Sequence, residues 1–283
     1  CDCNLDNLSL DLDSFELICK KENPKAVMLV SVLGLVPNMN EVINICDSYG
    51  VRLIEDVCES FGSRYKDQKL GTFGEVSTFS LYFGHHLSTI EGGMVATNNR
   101  HLYNLLMSIR SHGWSRDMEE TYKQKHMDEW GVDPFNELYT FYYPGFNLRA
   151  TDLQAFLGIR QLKKADKVVA IREKNFQKYV NELTNSTWKP TINDDDFVSN
   201  FCYPLICKNR RELISRLQEE GVETRPLLAG SLARQPVYKK LFGEVVMPKA
   251  EIIHEQGLYV PNNQSFVEED IDKIVSVINK ALT

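Results

Sequence analysis

At 283 residues the chain has room for one large domain, or for a large one with a smaller lobe. A chain of this size buries roughly three quarters of its unfolded surface, so it needs neither metal nor disulfide staples to fold. Its 43% hydrophobic and 25% charged residues are those of an ordinary globular protein. Lys+Arg 32 against Asp+Glu 39 gives a net charge of −7, which argues against a nucleic-acid coat or a polybasic membrane anchor and leaves room only for a local basic pocket. Apolar runs such as Ala26–Val30 fall far short of the roughly 20 residues that cross a bilayer. No signal-peptide pattern stands at the start of the given sequence, and no low-complexity tract interrupts it. The seven cysteines (Cys1, Cys3, Cys19, Cys46, Cys58, Cys202, Cys207) are odd in number and lack framework spacing, so free thiols in a reducing cytoplasm are expected. No second Cys or His pair follows Cys1 and Cys3 at metal-finger spacing. The first residue is not Met, and the start of translation is expected upstream.

Along the chain, residues 25–32 (KAVMLVSV) form a short continuous apolar run, which predicts a strand buried on both faces of a parallel sheet. Asn40 is placed to cap a helix turning Val42, Ile43, Ile45 and Cys46 inward, and Gly50 to stop it. Residues 51–55 (VRLIE) give the next strand, so the unit reads as a right-handed crossover in an α/β sheet. Residues 77–82 and 94–97 are further strands bracketing a polar loop, and residues 100–112 read as a helix. From 114 to 146 periodicity fades among Trp130, Phe135, Tyr139, Phe141, Tyr142 and Tyr143, the mark of a functional or interface excursion. Thr151-Asp-Leu-Gln154 is a capping box opening a helix with Leu153, Phe156 and Leu157 on one face. A long polar helix follows to about Leu183. A strand at 201–207, a helix capped by Asn209-Arg-Arg-Glu212 and a final helix opening at Ser265-Phe-Val-Glu268, with Ile271, Ile274, Val275 and Ile278 in register, predict a smaller α+β lobe. No internal repeat is visible.

Glu55 and Asp56 end a buried strand, where open α/β sheets place ligand-binding groups. A carboxylate there either caps the next helix or holds a proton on the ring nitrogen of a cofactor. Ser80 lies near the end of another strand, followed by Gly84-His85-His86 and Glu91-Gly92-Gly93. Adjacent histidines do not point the same way on a regular element and no third ligand follows, so no metal site is expected. No Gly-x-Ser-x-Gly elbow supports a serine hydrolase.

Residues 53–98 strongly resemble the pyridoxal-phosphate sugar aminotransferases that act on nucleotide-linked keto sugars, the DegT/DnrJ/EryC1/StrS type. The resemblance runs on through Arg110-Ser-His-Gly-Trp114, Pro144-Gly-Phe-Asn147-Leu-Arg149 and Gly221-Val-Glu-Thr-Arg-Pro226, and so covers essentially the whole chain. It implies a fold-type-I enzyme: an α/β/α large domain over residues 1–165, a linking helix and smaller α+β C-terminal lobe over 166–283, and a homodimer with shared active sites in the cytoplasm. His85, counted back from Ser88-Thr-Ile-Glu-Gly-Gly93, stands where ordinary members have the lysine that forms a Schiff base with the cofactor. Histidine there is the mark of the 3-dehydratase branch, which removes a sugar hydroxyl in deoxysugar (lipopolysaccharide O-antigen) biosynthesis. Gly-Trp-Ser-Arg116, the aromatic stretch 139–143 and Arg225-Pro-Leu-Leu-Ala-Gly230 point to a GDP-linked 4-keto-6-deoxyhexose as substrate.

The resemblance implies that pyridoxal 5'-phosphate is converted to a noncovalently held pyridoxamine 5'-phosphate by transamination from glutamate. It assigns Asp56 to the pyridinium nitrogen, Ser80 to the phosphate, Asn147 to the phosphate of the neighbouring subunit, Arg225 to the substrate and His85 to proton transfer. Glu59 takes the place of a glutamine near the ring hydroxyl. Relatives carry a further stretch ahead of the segment matched by Cys1, including a Gly/Ser-rich phosphate turn, so the chain resembles a truncated member. The alternatives are a nucleotide-sugar 4-aminotransferase and a non-catalytic truncated relic.

Overall fold

The computed structural model describes residues 1–282. Helix α1 (Leu12–Glu22) is capped by the Asp11 side chain on the Ser14 amide and buries Phe15 and Cys19. Strand β1 (Ala26–Val30) leads through a turn at Val32–Gly34 to helix α2 (Met39–Tyr49) and strand β2 (Arg52–Asp56). The α2 cap is Asn38, not the expected Asn40: its side chain accepts from the Glu41 amide. Met39, Val42 and Cys46 are fully buried, whereas Ile43 and Ile45 flank the stripe half-buried. Gly50, as expected, ends the helix at φ 65°, a conformation that costs glycine little.

A two-stranded ribbon, β3 (Arg64–Tyr65) with β4 (Gln68–Lys69), precedes strands β5 (Val76–Ser80) and β6 (Gly93–Ala96). The main sheet has the order β1-β2-β5-β6; the first three strands are parallel and β6 runs antiparallel. Its register gives the two faces different characters. Leu29 pairs with Glu55 and Glu55 with Ser77, and all three are buried. Val30 pairs with Asp56 and Asp56 with Thr78, so these residues, and Ser80 two positions on, share the opposite face. That face is open. Met28 (59% exposed) and Val30 (39%) contradict the expectation of a strand buried on both sides, because β1 is an edge strand and the apolar core of the described residues lies on the Leu29 side.

Helix α3 (Arg100–Ile109) follows, capped by Asn99 and ending three residues before the expected His112. The excursion read as aperiodic contains two helices, α4 (Glu120–Trp130) and α5 (Pro134–Glu137). The first hid because it is polar almost all round and buries only His126 and Met127. The second is set by Asp133, which caps the Phe135 and Asn136 amides, with Pro134 in the first turn. The segment folds back onto the turn after α3: the Trp114 ring stacks on Phe141 at 5.4 Å, and a side chain on Gly113 (φ 87°) would strike the Tyr143 carbonyl oxygen.

The expected capping box at Thr151 and Gln154 is formed and opens α6 (Asp152–Leu162). Its expected buried face is not buried within the chain. Leu153 and Phe156 are more than half exposed and Leu157 is half-buried; Ile159 and Leu162 extend the exposed row, and no element of the described residues covers it. Helix α7 (Ala165–Glu182) buries Val168, Val169, Arg172, Phe176 and Tyr179.

The C-terminal part builds an antiparallel sheet of order β7-β9-β8 from β7 (Cys202–Ile206), β8 (Arg225–Pro226) and β9 (Gly257–Pro261). Helix α8 (Arg210–Glu219) lies between β7 and β8, and α9 (Pro236–Phe242) and α10 (Pro248–Gln256) precede β9. Asn209 precedes α8 but makes no side-chain cap, with φ −88° and ψ 34° rather than the extended geometry a cap needs. The final helix, α11 (Glu268–Leu282), starts three residues after the expected Ser265: the Ser265 amide is held by Asn263, and the Val267 amide is taken by Asp270. Ile271, Ile274, Val275 and Ile278 are buried as expected. One hydrophobic core runs from Phe15 through Leu53, Phe176 and Leu205 to Ile278. All seven cysteines are free, and no helix of the described residues is long and apolar enough to cross a membrane.

Candidate active site

The two carboxylates at the end of β2 have opposite fates because successive strand residues point to opposite faces. Glu55 is 1% exposed and accepts the Gly71, Phe73 and Gly74 amides, each at 2.7 Å. It ties the loop before β5 to the sheet and, at 1% exposure, lies on the buried face away from Asp56. Asp56, on the open face and half-buried, accepts the Cys58 amide at 3.0 Å. Ser80 shares that face, its hydroxyl accepting the Tyr82 amide at 3.1 Å.

Glu59 accepts the Leu33 amide at 2.9 Å. Burial, with a smaller contribution from the Asp56 charge, pushes its carboxyl up to about 7 against the opposing effect of that hydrogen bond. Its protonated form is therefore favoured far above the ordinary carboxylate range.

His85 is half-buried in the loop between β5 and β6. Its ring lies 4.9 Å from Phe201 and edge-on to Tyr82 at 5.8 Å, and Nδ1 is buried without a hydrogen-bond partner. Burial first, then the Arg172 charge, hold the imidazole below its ordinary pKa, while Asp56 pulls the other way. His86 is 4% exposed, with Nε2 at 3.0 Å from the Ser199 hydroxyl and its pKa driven well below the ordinary value by burial. The pair diverges, as expected, and among the described residues no group of three or more His, Cys, Asp or Glu side chains is placed to hold a metal ion.

Asp56, Glu59 and His85 thus form one electrostatic neighbourhood, with Ser80 on the same sheet face. Arg225 stands at its margin. Its guanidinium is exposed and paired with Glu223 at 2.7 Å, and the Tyr82 and Tyr259 hydroxyls are among the groups that hold its pKa up, after Glu223. Asn147 is not brought into the cluster. It is exposed, bridged through the backbone to Ser111, and among the described residues its side chain bonds only to Arg149, at 3.4 Å.

Two groups escaped the sequence reading. Phe201, the residue before β7, supplies the ring against His85 and was visible only as an apolar position. Arg172 had a signal: it is a cation four residues from both Val168 and Phe176 on an otherwise apolar stripe.

The model of the DegT/DnrJ/EryC1/StrS aminotransferase family matches residues 1–279. A GDP-4-keto-6-deoxy-D-mannose 3-dehydratase of Yersinia pseudotuberculosis is 32% identical over 290 residues, covering 99% of this chain and 72% of the relative. A UDP-4-amino-4,6-dideoxy-N-acetyl-beta-L-altrosamine transaminase of Campylobacter jejuni is 28% identical, covering 99% and 72%. Among solved structures, the E. coli GDP-4-keto-6-deoxy-D-mannose-3-dehydratase with bound hydrated PLP superposes with a TM-score of 0.85 at 28% identity, over 98% of this chain and 72% of that one. A mutant GDP-4-keto-6-deoxymannose-3-dehydratase with bound GDP-perosamine gives 0.86 at 30% identity, over 98% and 73%.

Proposed function

The chain belongs to the DegT/DnrJ/EryC1/StrS aminotransferase family, and on that premise we propose that it is a pyridoxal-phosphate-dependent 3-dehydratase of a GDP-linked 4-keto-6-deoxyhexose. The observation that carries this reading is the His85 imidazole. It is half-buried between the Tyr82 and Phe201 rings, and the charges acting on it are those of Arg172 and Asp56, with no lysine among them. A dehydratase needs a proton-transfer group at this place, and an aminotransferase needs a primary amine.

The residues fit the cofactor. Asp56 offers an anion on the open sheet face for a ring nitrogen, Ser80 a hydroxyl for a phosphate, and His85 a free nitrogen for a proton. When bound, the pyridine ring would supply an electron sink. Asp56 would hold the ring nitrogen protonated and fix its orientation. A protonated Glu59 has one O–H donor and retained acceptor capacity, so it can stand in for an amide beside the ring hydroxyl. His85, uncharged at neutral pH, would accept a proton and return one to the departing C3 hydroxyl, which leaves as water. Glutamate is the proposed reductant: it becomes 2-oxoglutarate, its nitrogen leaves as ammonia, and the sugar C3 gains hydrogen. A solved structure titled as GDP-4-keto-6-deoxymannose-3-dehydratase with a trapped PLP-glutamate geminal diamine supports that donor.

The same reading makes the chain a homodimer divided at about residue 165 into a cofactor-binding part and a smaller lobe. The exposed row on α6 and the exposed Phe135, Tyr139, Phe141, Phe146 and Leu148 support self-association. Asn147, outside its own chain's cluster, would then serve the neighbour's phosphate, and Arg225 would exchange Glu223 for the substrate's anionic part.

The test is product analysis with pyridoxal phosphate, glutamate and GDP-4-keto-6-deoxymannose. A 3-deoxy-4-keto sugar with equimolar ammonia and 2-oxoglutarate is expected. An amino sugar without ammonia release would instead establish the 4-aminotransferase that the Campylobacter relative favours. No turnover with cofactor bound would leave a non-catalytic member.

A further inference from the structure

Arg172 lies midway along α7 and is 3% exposed. A buried guanidinium is costly unless its charge is compensated, and carboxylates usually do this. Among the described residues Arg172 meets none. Nη1 donates to the carbonyl oxygens of Asn262 (2.8 Å) and Asn200 (3.3 Å), and Nη2 to the Gln264 side-chain oxygen (2.5 Å) and, at a longer 3.4 Å, to the His85 carbonyl oxygen. Nε has no partner. Asn262 closes the knot, donating to the Arg172 carbonyl at 2.8 Å and to the Asn200 side chain at 2.7 Å. Burial lowers the guanidinium to about 10, so it stays charged at neutral pH.

One side chain therefore joins the loop carrying His85 to the entry of β7 and the exit of β9, with a charge that only neutral acceptors satisfy. We propose that Arg172 is a positioning residue for His85, fastening its peptide to the ends of β7 and β9 and setting an uncompensated positive charge beside its imidazole. The inference rests on the reading of His85 as the proton-transfer group.

The imidazole is faced by Asp56 from β2, Arg172 from α7, the Tyr82 ring from its own loop and the Phe201 ring from the start of β7, while His86 bonds to Ser199. Arg172 opposes a second positive charge there and Asp56 favours one. Burial weighs most against the charged form, Arg172 adds to it and Asp56 opposes it, which leaves the uncharged acceptor that a base requires.

The test uses Gln264→Glu and Arg172→Lys in the full chain, with His85→Asn to assign the His85 resonance. Gln264 is half-buried, so the first change keeps the core and sets a carboxylate against Nη2. Its expected result is a His85 NMR titration midpoint raised by about half a unit to one unit, with the acid limb of kcat/KM moving by the same amount. Arg172→Lys keeps the charge and loses the fork, so the midpoint should hold while kcat falls ~10–100-fold with little change in KM. An unmoved midpoint in folded Gln264→Glu, or wild-type kcat in Arg172→Lys, overturns the proposal. Should Arg172→Lys fail to fold, the Gln264→Glu titration decides alone. That titration needs no turnover. A shifted midpoint in a protein that never dehydrates the sugar would defeat the activity and keep this role of Arg172, whereas an unmoved midpoint in an active dehydratase defeats only this role.

Discussion

His85 and His86 are consecutive in sequence and face different environments: His85 is half-buried between the Tyr82 and Phe201 rings, whereas His86 is 4% exposed with Nε2 at 3.0 Å from the Ser199 hydroxyl. The two rings therefore separate chemistry from structure. His85→Asn should lower dehydration by ~10²–10⁴-fold with the fold intact, the usual cost of losing a positioned base. His86→Asn should cost about 1–2 kcal/mol of stability and far less turnover. Steady-state kinetics and urea unfolding of both variants check this, and a larger rate loss in His86→Asn would reverse the assignment.

Borohydride reduction bears on the same position. Because His85 carries no primary amine, reduction of the cofactor-loaded protein should leave no pyridoxyl group on any lysine required for turnover. Peptide mass spectrometry reads the outcome, and such an adduct would return the chain to the aminotransferases.

Glu59 ties stability to pH. Its carboxyl titrates at about 7 in the fold against an ordinary 4.5, so the protonated form is favoured by folding. That stabilisation is complete below about pH 4.5 and is lost as pH rises through 7. Glu59→Gln removes the titration. Between pH 5 and pH 8 the cofactor-free wild type should lose about 2 kcal/mol relative to the variant in urea unfolding. Parallel stability profiles would contradict the assignment.

Glu55, by contrast, is structural. Glu55→Ala would orphan three amides that now share one buried carboxylate, at a cost of about 3 kcal/mol or more. The denaturation midpoint should fall far more than for Asp56→Ala, whose side chain accepts one amide. Equal losses would mean that the faces of β2 had been read the wrong way round.

The exposed row on α6 makes an assembly prediction. Phe156→Asp together with Ile159→Asp should convert a dimer to a monomer in sedimentation velocity at micromolar concentration, without changing the far-ultraviolet dichroism. A wild type that sediments as a monomer would refute the shared site.

Much of this molecule was legible from local pattern. The strand, helix and strand from Ala26 to Asp56 follow from an apolar run, a helical stripe and a glycine stop, and the Thr151 capping box and the α11 stripe were read the same way. These signals lie within a few residues of what they determine. Helix α4 was missed because a polar surface helix has no stripe to detect, and Asn209 misled because the φ and ψ of a cap depend on the chain that leads into it.

What sequence alone determined is the strand, helix and strand from Ala26 to Asp56, the capping box at Thr151, the stripe of α11 and the family resemblance. Which of two adjacent groups faces the site was decided only by tertiary structure. Strand register sent Glu55 to the buried face with Leu29 and Ser77, and Asp56 to the open face with Thr78. Likewise, α7 brought Arg172 to His85 across 87 positions of sequence, and its neutral partners come from Asn200, Asn262 and Gln264. The reason is physical: a side chain's protonation depends on burial and on charges a few ångströms away, and folding gathers those from segments with no local relation in sequence.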